Sequence, residues 1–260
     1  MKEPWFLRGT VLSSGQGASS SPSQALESQG HTRTMTLLTA DLHCHTCRSK
    51  DSLMLPGRLL AICRRKGIDR LAITDHNTTA GAREAAELDP ERVIVGEEIM
   101  TTRGELLAYF VQEEVPPGLT PEETIIRLRE QRAFISVAHP FDRLRAGGWV
   151  EADLRAILPL VDALEVFNAR TWGPRANRRA AKLASEARLL QTAGSDAHAY
   201  SEVGRTLLHL PPFGDAPGLR QALRRSRITA RGSSPLVHLL SRYAALRKHL
   251  GWDAPQGEWR

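Results

Sequence analysis

The most constraining feature of this chain is a short polar cluster that directly follows an apolar run. Asp41, His43 and His45 come just after residues 37–40, which are Leu, Leu, Thr and Ala. Alternate side chains of a strand share one face, so the three polar residues are predicted to point the same way. A strand buried on both faces is typically apolar, so we predict that a ligand, in the first instance a metal ion, binds here. The alternative is a pair of histidines whose hydrogen bonds are satisfied within the core.

Apolar runs and helical patterns alternate along the rest of the chain. Helices are predicted over residues 56–67, 80–88, 120–131 and 174–187, and strands over residues 70–74, 92–96, 106–111, 134–138, 163–167, 189–193 and 207–210. Such alternation is typical of an α/β fold with a mostly parallel sheet. Polar residues follow the strands, and no glycine-rich phosphate loop follows the first one, which favours a β/α (TIM-like) barrel over a doubly wound sheet.

Composition divides the chain into three segments. Residues 1–34 are rich in Ser and Gly and are predicted to be a disordered leader, with Met35 as an alternative start of the protein. Residues 35–212 carry the alternating pattern of the barrel. Residues 213–260 are basic and predicted to form a helical extension that packs on the barrel.

Charge and cysteine content limit the classes of protein that this chain represents. The net charge of +6 suggests acidic partners such as phosphates or nucleic acid. The excess of 30 Arg over 5 Lys, however, is more typical of a genome-wide compositional bias than of a basic patch for such a partner. Three cysteines make no disulfide framework, and the Cys-x-x-Cys at 44–47 lacks a second pair that would complete a zinc site. No run approaches the ~20 apolar residues of a membrane span, and no signal-peptide core precedes the fold. We therefore expect a cytoplasmic protein that does not bind membranes.

The ends of the predicted strands and the loop after the first one supply a set of candidate metal ligands. Imidazole and carboxylate ligands suit Zn²⁺, Mn²⁺ or Fe²⁺, with Mg²⁺ as a further candidate. Because eight ligands are too many for one ion, we expect two or three, close enough to activate water for attack on phosphorus. The candidates are His43, His45, Asp51, His76, Glu98, His139, Asp196 and His198.

Five of these stretches, in their order along the chain, resemble the motifs of the PHP (polymerase and histidinol phosphatase) family. They are Asp-Leu-His-Cys-His at 41–45, Ile-Thr-Asp-His at 73–76, Gly-Glu-Glu at 96–98, Ala-His-Pro at 138–140 and Ser-Asp-Ala-His at 195–198. The similarity spans about residues 37–212. It implies a distorted seven-stranded β/α barrel with a trinuclear metal site of the kind found in stand-alone phosphoesterases.

The resemblance also implies which residues bind each ion. Carried over by motif, the first ion would be bound by His43, His45, Glu98 and Asp196, the second by Glu98 and His139, and the third by Asp51, His76 and His198. Asp196 and His198 thereby join the catalytic set. Glu97 is the rival of Glu98, but the family spacing favours Glu98.

One position departs from the family pattern. Some relatives have a further histidine between the motifs of Glu98 and His139, and this chain has none there. Glu105 lies at about that place and is either a substitute ligand or a solvated charge. The second metal is accordingly expected to be weakly bound, absent or of another element.

Other polar residues near the motifs are candidate partners of the ligands or of the substrate. Asp41 and Asp75 are expected to orient ligand histidines. Arg143 and Arg170 are taken as catalytic residues that hold a phosphate, with Arg145 as a further candidate. The alternative for each arginine is a surface salt bridge.

These observations predict a metal-dependent phosphoesterase, in which a metal-activated hydroxide attacks a phosphomonoester, a nucleotide or an oligonucleotide. One alternative is an amidohydrolase-like carbon–nitrogen hydrolase, which requires a metal-bridging lysine on a middle strand. The five lysines, at positions 2, 50, 66, 182 and 248, do not lie in such a place. The other alternative is a non-catalytic nucleic-acid-binding protein with structural metals.

Overall fold

A computed structural model describes residues 36–142, 145 and 147–251. The predicted leader, the alternative start at Met35 and the last nine residues lie outside the described part. The strands are β1 (Leu38–Asp41), β2 (Arg70–Ile73), β3 (Val93–Met100), β4 (Glu105–Tyr109), β5 (Phe134–Val137), β6 (Ala163–Asn168), β7 (Leu190–Gly194), β8 (Thr206–Leu210) and β9 (Arg227–Ala230). The helices are α1 (Pro56–Lys66), α2 (Ala80–Leu88), α3 (Pro121–Glu130), α4 (Glu151–Ile157), α5 (Pro174–Glu186), α6 (Ala216–Leu223) and α7 (Val237–His249), and a 3₁₀ turn spans Leu158–Leu160.

The nine strands form one sheet in the order β7-β6-β5-β4-β3-β2-β1-β8-β9. Strands β1 to β3 are parallel, as are β5 to β7, whereas β4 is antiparallel to both of its neighbours. Beyond the end of β1, the His45 amide donates to the Ala197 carbonyl at 2.9 Å and the Asp196 amide donates to the His43 carbonyl at 2.8 Å. These bonds bring the carboxyl ends of β1 and β7 together and nearly close the sheet into a barrel.

The α/β barrel predicted from the sequence is confirmed, with a correction to the number of strands. Strand β8 extends the sheet antiparallel to β1, and β9 pairs antiparallel with β8, so the sheet has nine strands rather than seven. The segment from residue 213 onward is therefore not purely helical, because it supplies β9. Three of the four residues of β9 are exposed, so no alternation of apolar residues marked it as a strand.

Local sequence explains several element boundaries. Thr120 caps α3 through its side chain, which accepts from the Glu123 amide, while the Glu123 carboxylate accepts from the Thr120 amide. Gly67 ends α1 in the left-handed conformation, with φ of 65°. Helix α4, which the sequence analysis missed, begins without a side-chain cap and spans only seven residues.

The core consists of a barrel interior and two outer layers. Ala72, Ile94, Leu107 and Phe134 are among the buried residues of the interior cluster. Further apolar clusters pack helices against the outside of the sheet. This arrangement leaves the carboxyl ends of the parallel strands as the place for a polar site. In the described part of the chain, none of the helices combines the length and the apolar character needed to cross a membrane.

Candidate metal centre

The structure brings the predicted ligands together at the carboxyl end of the barrel, around the Glu98 carboxylate. Its Oε2 lies 3.3 Å from Nε2 of His43 and 3.3 Å from Nε2 of His45. The same oxygen lies 3.1 Å from Nδ1 of His76, and Oε1 lies 2.8 Å from Nε2 of His139. Four histidines from three segments of the chain thus converge on one carboxylate of β3.

Two aspartates complete the cluster. Oδ1 of Asp196 lies 3.2 Å from Nε2 of His45 and 3.6 Å from Nε2 of His43. Oδ2 of Asp51 lies 3.2 Å from Nε2 of His198, and Oδ1 lies 3.7 Å from Nε2 of His76. Ligand atoms lie within 4.8 Å of one another in three groups, which are His43, His45 and Asp196; His45, His76 and His198; and His76, Glu98 and Glu105.

Hydrogen bonds on the Nδ1 side leave the Nε2 atoms of three histidines facing the centre. Nδ1 of His43 lies 2.9 Å from Oε1 of Glu165, and Nδ1 of His198 lies 2.8 Å from the Asp196 carbonyl oxygen. The Ser49 hydroxyl donates to Asp75, so it accepts from Nδ1 of His45 at 3.0 Å. Each acceptor favours the proton on Nδ1 and leaves the Nε2 lone pair free for a cation.

The spacing and the unsatisfied oxygens fit a set of divalent ions. Ligand atoms about 2.0–2.2 Å from one ion lie about 3.0–3.5 Å from each other, close to several of the separations above. Oε2 of Glu98 and Oδ1 of both Asp51 and Asp196 are buried and make no hydrogen bond of good geometry with the described residues. Buried carboxylate oxygens are normally hydrogen-bonded or bound to a cation, so these three atoms indicate metal sites.

The electrostatics of the site point the same way. Burial opposes ionisation, yet His43 and His76 hold the pKa of Glu98 well below its usual range. The pKa of Asp196 is also held well below its usual range, mainly by Arg145 and His43 against the effect of burial. Although burial lowers the pKa of His76, Glu98 and Asp51 raise it to about 9. The carboxylates therefore stay charged, and the centre attracts cations, whether protons or metals.

Glu105, the predicted substitute for a missing histidine, lies at the edge of this cluster. Its Oε2 lies 3.6 Å from Nε2 of His139, and its Oε1 lies 3.8 Å from Nδ1 of His76. Burial and the nearby Glu98 raise the pKa of Glu105. The side chain is buried, so the alternative of a solvated charge at the start of β4 is wrong.

A buried network that the sequence pattern did not predict supports the ligands. Glu165 of β6 contacts the His43 ring, and its Oε2 accepts from the His139 amide at 2.8 Å. The Asn168 amide group donates to both Glu165 and Asp196, at 3.1 and 3.0 Å. The available signal was an acidic residue between Leu164 and Val166, in the middle of a strand that otherwise reads as apolar.

Asp41 and Asp75 support the site through different partners than expected. Strand β1 ends at Asp41, so the alternation that would align it with the two histidines stops there. The Asp41 carboxylate accepts from the amides of Ser195 and Gly204 at 2.9 and 3.1 Å, and no histidine ring of the described chain contacts it. Asp75 reaches His45 indirectly, through Ser49.

The three candidate arginines have different positions. Arg145 contacts Asp196 directly and lies 3.3 Å from Asp142, so it borders the cluster. Arg170 was expected to hold a phosphate. The structure instead buries it away from solvent, where it donates to the Ser241 hydroxyl of α7 at 2.7 Å and faces Glu202 at 3.4 Å. Its guanidinium is thus occupied by protein partners, which corrects the expectation. Arg143 lies outside the described residues.

Close backbone packing positions the ligands on β7. A Cβ atom added to Gly194 would lie 2.2 Å from Cβ of His43, so only glycine allows β7 to approach that ligand. Asp196 has a φ of 52°, in the left-handed region that non-glycine residues rarely adopt. Such backbone strain is typical of functional sites, and here it turns the Asp196 side chain toward the histidines.

Comparisons with known proteins show the family to which this chain belongs. A family model described as PHP-associated matches residues 174–228. The uncharacterized protein MJ1587 of Methanocaldococcus jannaschii is 40% identical over 146 residues, which cover 51% of this chain and 82% of that protein. The chain belongs to the PHP family.

Solved structures share the fold of this PHP protein. A two-domain protein of Bacteroides vulgatus that contains a predicted PHP-like metal-dependent phosphoesterase superposes with a TM-score of 0.61 at 21% identity, over 80% of this chain and 70% of that chain. A lesion-specific endonuclease of Pyrococcus furiosus superposes with a TM-score of 0.57 at 18% identity, over 76% of this chain and 60% of that one. At these identities the likeness concerns the fold alone.

Proposed function

We propose that this PHP protein is a metal-dependent phosphoesterase. The observation that carries the proposal is the convergence of imidazole nitrogens and carboxylate oxygens on Glu98 Oε2, a buried atom without a well-formed hydrogen bond from the described residues. Such a mixed set suits two or three ions such as Mn²⁺, Zn²⁺ or Fe²⁺. When bound, these ions would lower the pKa of a water molecule and stabilise charge on a phosphoryl group.

The separations support the assignment of ligands implied by the family motifs. His43, His45 and Asp196 would share the first ion with Glu98, whose Oε2 reaches both histidines. Glu98 Oε1 and His139 would bind the second ion, with Glu105 in the place of the histidine found in some relatives. The third ion would be held by a group at the mouth of the barrel, which consists of Asp51, His76 and His198.

The protein side chains would orient these ligands and bind the substrate. Glu165 and Ser49 keep the rings of His43 and His45 in the tautomer that presents Nε2. Arg145 borders the cluster, and its side chain is 18% exposed, so it is the described arginine best placed to hold a phosphate oxygen. Arg143, two residues earlier, remains a candidate for the same role.

The substrate would be a phosphomonoester, a nucleotide or the end of an oligonucleotide. The net charge of +6 supports a polyanionic substrate. The likeness in fold to a lesion-specific endonuclease supports nucleic acid among the candidates. A small phosphomonoester would use the same cluster, so the two classes are best separated by a substrate panel.

The absence of a bridging lysine favours phosphoester chemistry over carbon–nitrogen hydrolysis. Lys50 lies in a turn, Lys66 in α1, Lys182 in α5 and Lys248 in α7. None of the lysines in the described part of the chain lies on a strand. None of the described lysines is therefore placed to serve as the metal-bridging lysine on a middle strand that the carbon–nitrogen hydrolase alternative requires.

Metal content and turnover test the proposal together. We expect two or three ions per chain by elemental analysis, and chelator-sensitive hydrolysis with added Mn²⁺, Zn²⁺ or Mg²⁺. The panel contains a chromogenic phosphomonoester, a phosphodiester, nucleoside bisphosphates and a short oligonucleotide. His43→Ala and Asp196→Ala should each abolish hydrolysis while circular dichroism shows a retained fold, because each removes a ligand from the first site.

Two results would contradict the proposal. Full turnover in both purified variants would show that hydrolysis does not require the ligand cluster. Stoichiometric metal without turnover on any substrate, together with salt-dependent nucleic-acid binding that survives metal removal, would favour the non-catalytic alternative.

A further inference from the structure

Helix α7 reaches two ligand-bearing loops with one of its faces. Ser241, Ala244 and Lys248 are spaced by three and four residues, so they lie on the same side of the helix. Ala244 is buried against the barrel, and the other two side chains make polar contacts with barrel segments. The helix is therefore attached to the barrel at two points about 10 Å apart along its axis.

The first attachment reaches the loop that follows β1. The Lys248 ammonium group donates to the carbonyl oxygen of Cys47 at 2.5 Å and to that of Ser49. The Ser49 hydroxyl contacts Nδ1 of His45, and two residues later the same loop presents Asp51. Lys248 thus holds the backbone of a segment that carries one proposed ligand and supports another.

The second attachment reaches the loop that follows β7, through two buried side chains. Arg170 donates to the Ser241 hydroxyl and faces Oε1 of Glu202 at 3.4 Å. The other oxygen of Glu202 accepts from the backbone amides of His198 and Ala199, at 3.1 Å each. The chain of contacts from α7 therefore ends at the backbone of His198.

The two loops meet at one group of proposed ligands. Asp51 faces His198 at 3.2 Å, and the Ser52 hydroxyl donates to the His198 carbonyl at 3.1 Å. Loops are the least stable parts of a fold, whereas a metal site requires its ligands to be held within about 0.5 Å. Substituting a residue that holds a metal ligand in place, without itself binding the metal, typically lowers the metal affinity by about 10–100-fold.

We propose that Lys248 and Arg170 are positioning residues, through which α7 sets the affinity of the group Asp51, His76 and His198 for a divalent ion. The inference rests on the proposed function, because it takes this group as a metal site. The C-terminal segment would then contribute to metal binding, because α7 holds the loops that carry the ligands. The first ion is linked to α7 only through Ser49 and the His45 ring, and in the described residues the second ion, held by Glu98 and His139, has no contact of this kind, so both would be affected less.

Titration of the metal-free, full-length protein with Mn²⁺ tests this directly, with free Mn²⁺ measured by electron paramagnetic resonance. The test variants are Lys248→Ala, Ser241→Ala and the double variant, all on α7, so the ligands and the barrel residues stay in place. Arg242→Ala is the matched control, since it removes one positive charge from the same helix at an exposed position. Lys248→Arg preserves a donor and should rescue binding.

We expect the double variant to bind one ion at least 10-fold more weakly than the native protein while the other ions are weakened less, and Arg242→Ala to match the native protein. Equal binding in all variants, or equal weakening of every ion, would overturn the positioning role and leave the proposed function standing. A native protein that binds no Mn²⁺, and none of the other metals by elemental analysis, would instead overturn the proposed function and this inference with it.

Discussion

Two adjacent glutamates of β3 experience opposite environments. Glu97 and Glu98 are both fully buried, and they face Ala108 and Leu107 of β4 in the sheet. Glu98 points to the barrel interior, among four histidines. Glu97 points to the outer layer, where its Oε2 accepts a 3.1 Å hydrogen bond from the Val115 amide.

The environments shift the two pKa values in opposite directions. Burial and, to a lesser extent, Glu114 raise the pKa of Glu97 to about 8, against a hydrogen bond from Val115 that lowers it. Glu98 is buried as deeply, but the surrounding imidazoles keep its pKa well below the usual range. Burial alone thus makes a neutral carboxyl group, and only a cluster of cationic or metal-binding partners makes a buried carboxylate. A carboxylate that stays charged is the one suited to binding metal.

The largest expected effect is the loss of the central carboxylate. Glu98→Gln keeps the shape of the side chain but removes the charge that the proposed ions share. We expect kcat/KM for the best phosphoester to fall by at least about 10³-fold, equivalent to about 4 kcal/mol in activation free energy. Bound metal should also fall by at least one ion per chain in elemental analysis. Native activity in a folded Glu98→Gln protein would show that catalysis does not require the Glu98 carboxylate on which the histidines converge.

Glu97→Gln is the matched control and should change stability instead of activity. Between pH 4.5 and 8 the folded protein holds a proton on Glu97 that the unfolded chain has released, so the native protein loses stability as the pH rises. Glutamine has no proton to release. The variant should therefore be more stable than the native protein at pH 8 and above, by about 3–5 kcal/mol, and similar to it near pH 4.5.

Denaturant unfolding of the two proteins at a series of pH values measures this difference. Metal content and turnover of the Glu97 variant serve as the control and should stay native. A stability difference that does not depend on pH would mean that Glu97 is ionised in the folded protein. A loss of metal would mean that Glu97, on the outer face of β3, affects metal binding by Glu98 on the inner face.

The same contrast shows which parts of the molecule the sequence could predict. Ordered motifs located His43, His76, Glu98, His139 and Asp196, because each lies next to an apolar strand pattern. The Gly-x-Glu spacing also separated Glu98 from Glu97. The barrel followed from the same alternation of strands and helices.

Contacts between distant segments could not be predicted in this way. The pairing of Glu165 with His43 joins residues 122 positions apart, and Arg170 with Ser241 joins residues 71 apart. An arginine after a strand has the same local pattern whether it contacts a substrate or another helix. Only the packing of α7 shows that Arg170 already has protein partners. Strand β9 was missed for a related reason, since its neighbour β8 rather than its own composition determines its conformation.

Glu105 combines features of both glutamates of β3, and it gives the smallest expected effect. Its pKa is raised by burial and by Glu98, as burial raises that of Glu97, yet its carboxylate approaches His76 and His139, as Glu98 does. If it binds the second ion, Glu105→Gln should weaken the most weakly bound Mn²⁺ by about 3–10-fold at pH 8, whereas Glu105→His should bind it nearly as well as the native protein. Mn²⁺ titration at pH 8 and pH 6 measures both.

The pH dependence separates a ligand from a buried structural charge. A proton on Glu105 must leave before the carboxylate binds an ion, so the affinity gained from this residue decreases as the pH falls. The native protein and the glutamine variant should therefore differ more at pH 8 than at pH 6. Identical titrations at both pH values would assign Glu105 to packing beside Gly147, where an added Cβ atom would lie 2.2 Å from its Oε2. The second ion would then depend on Glu98 and His139 alone.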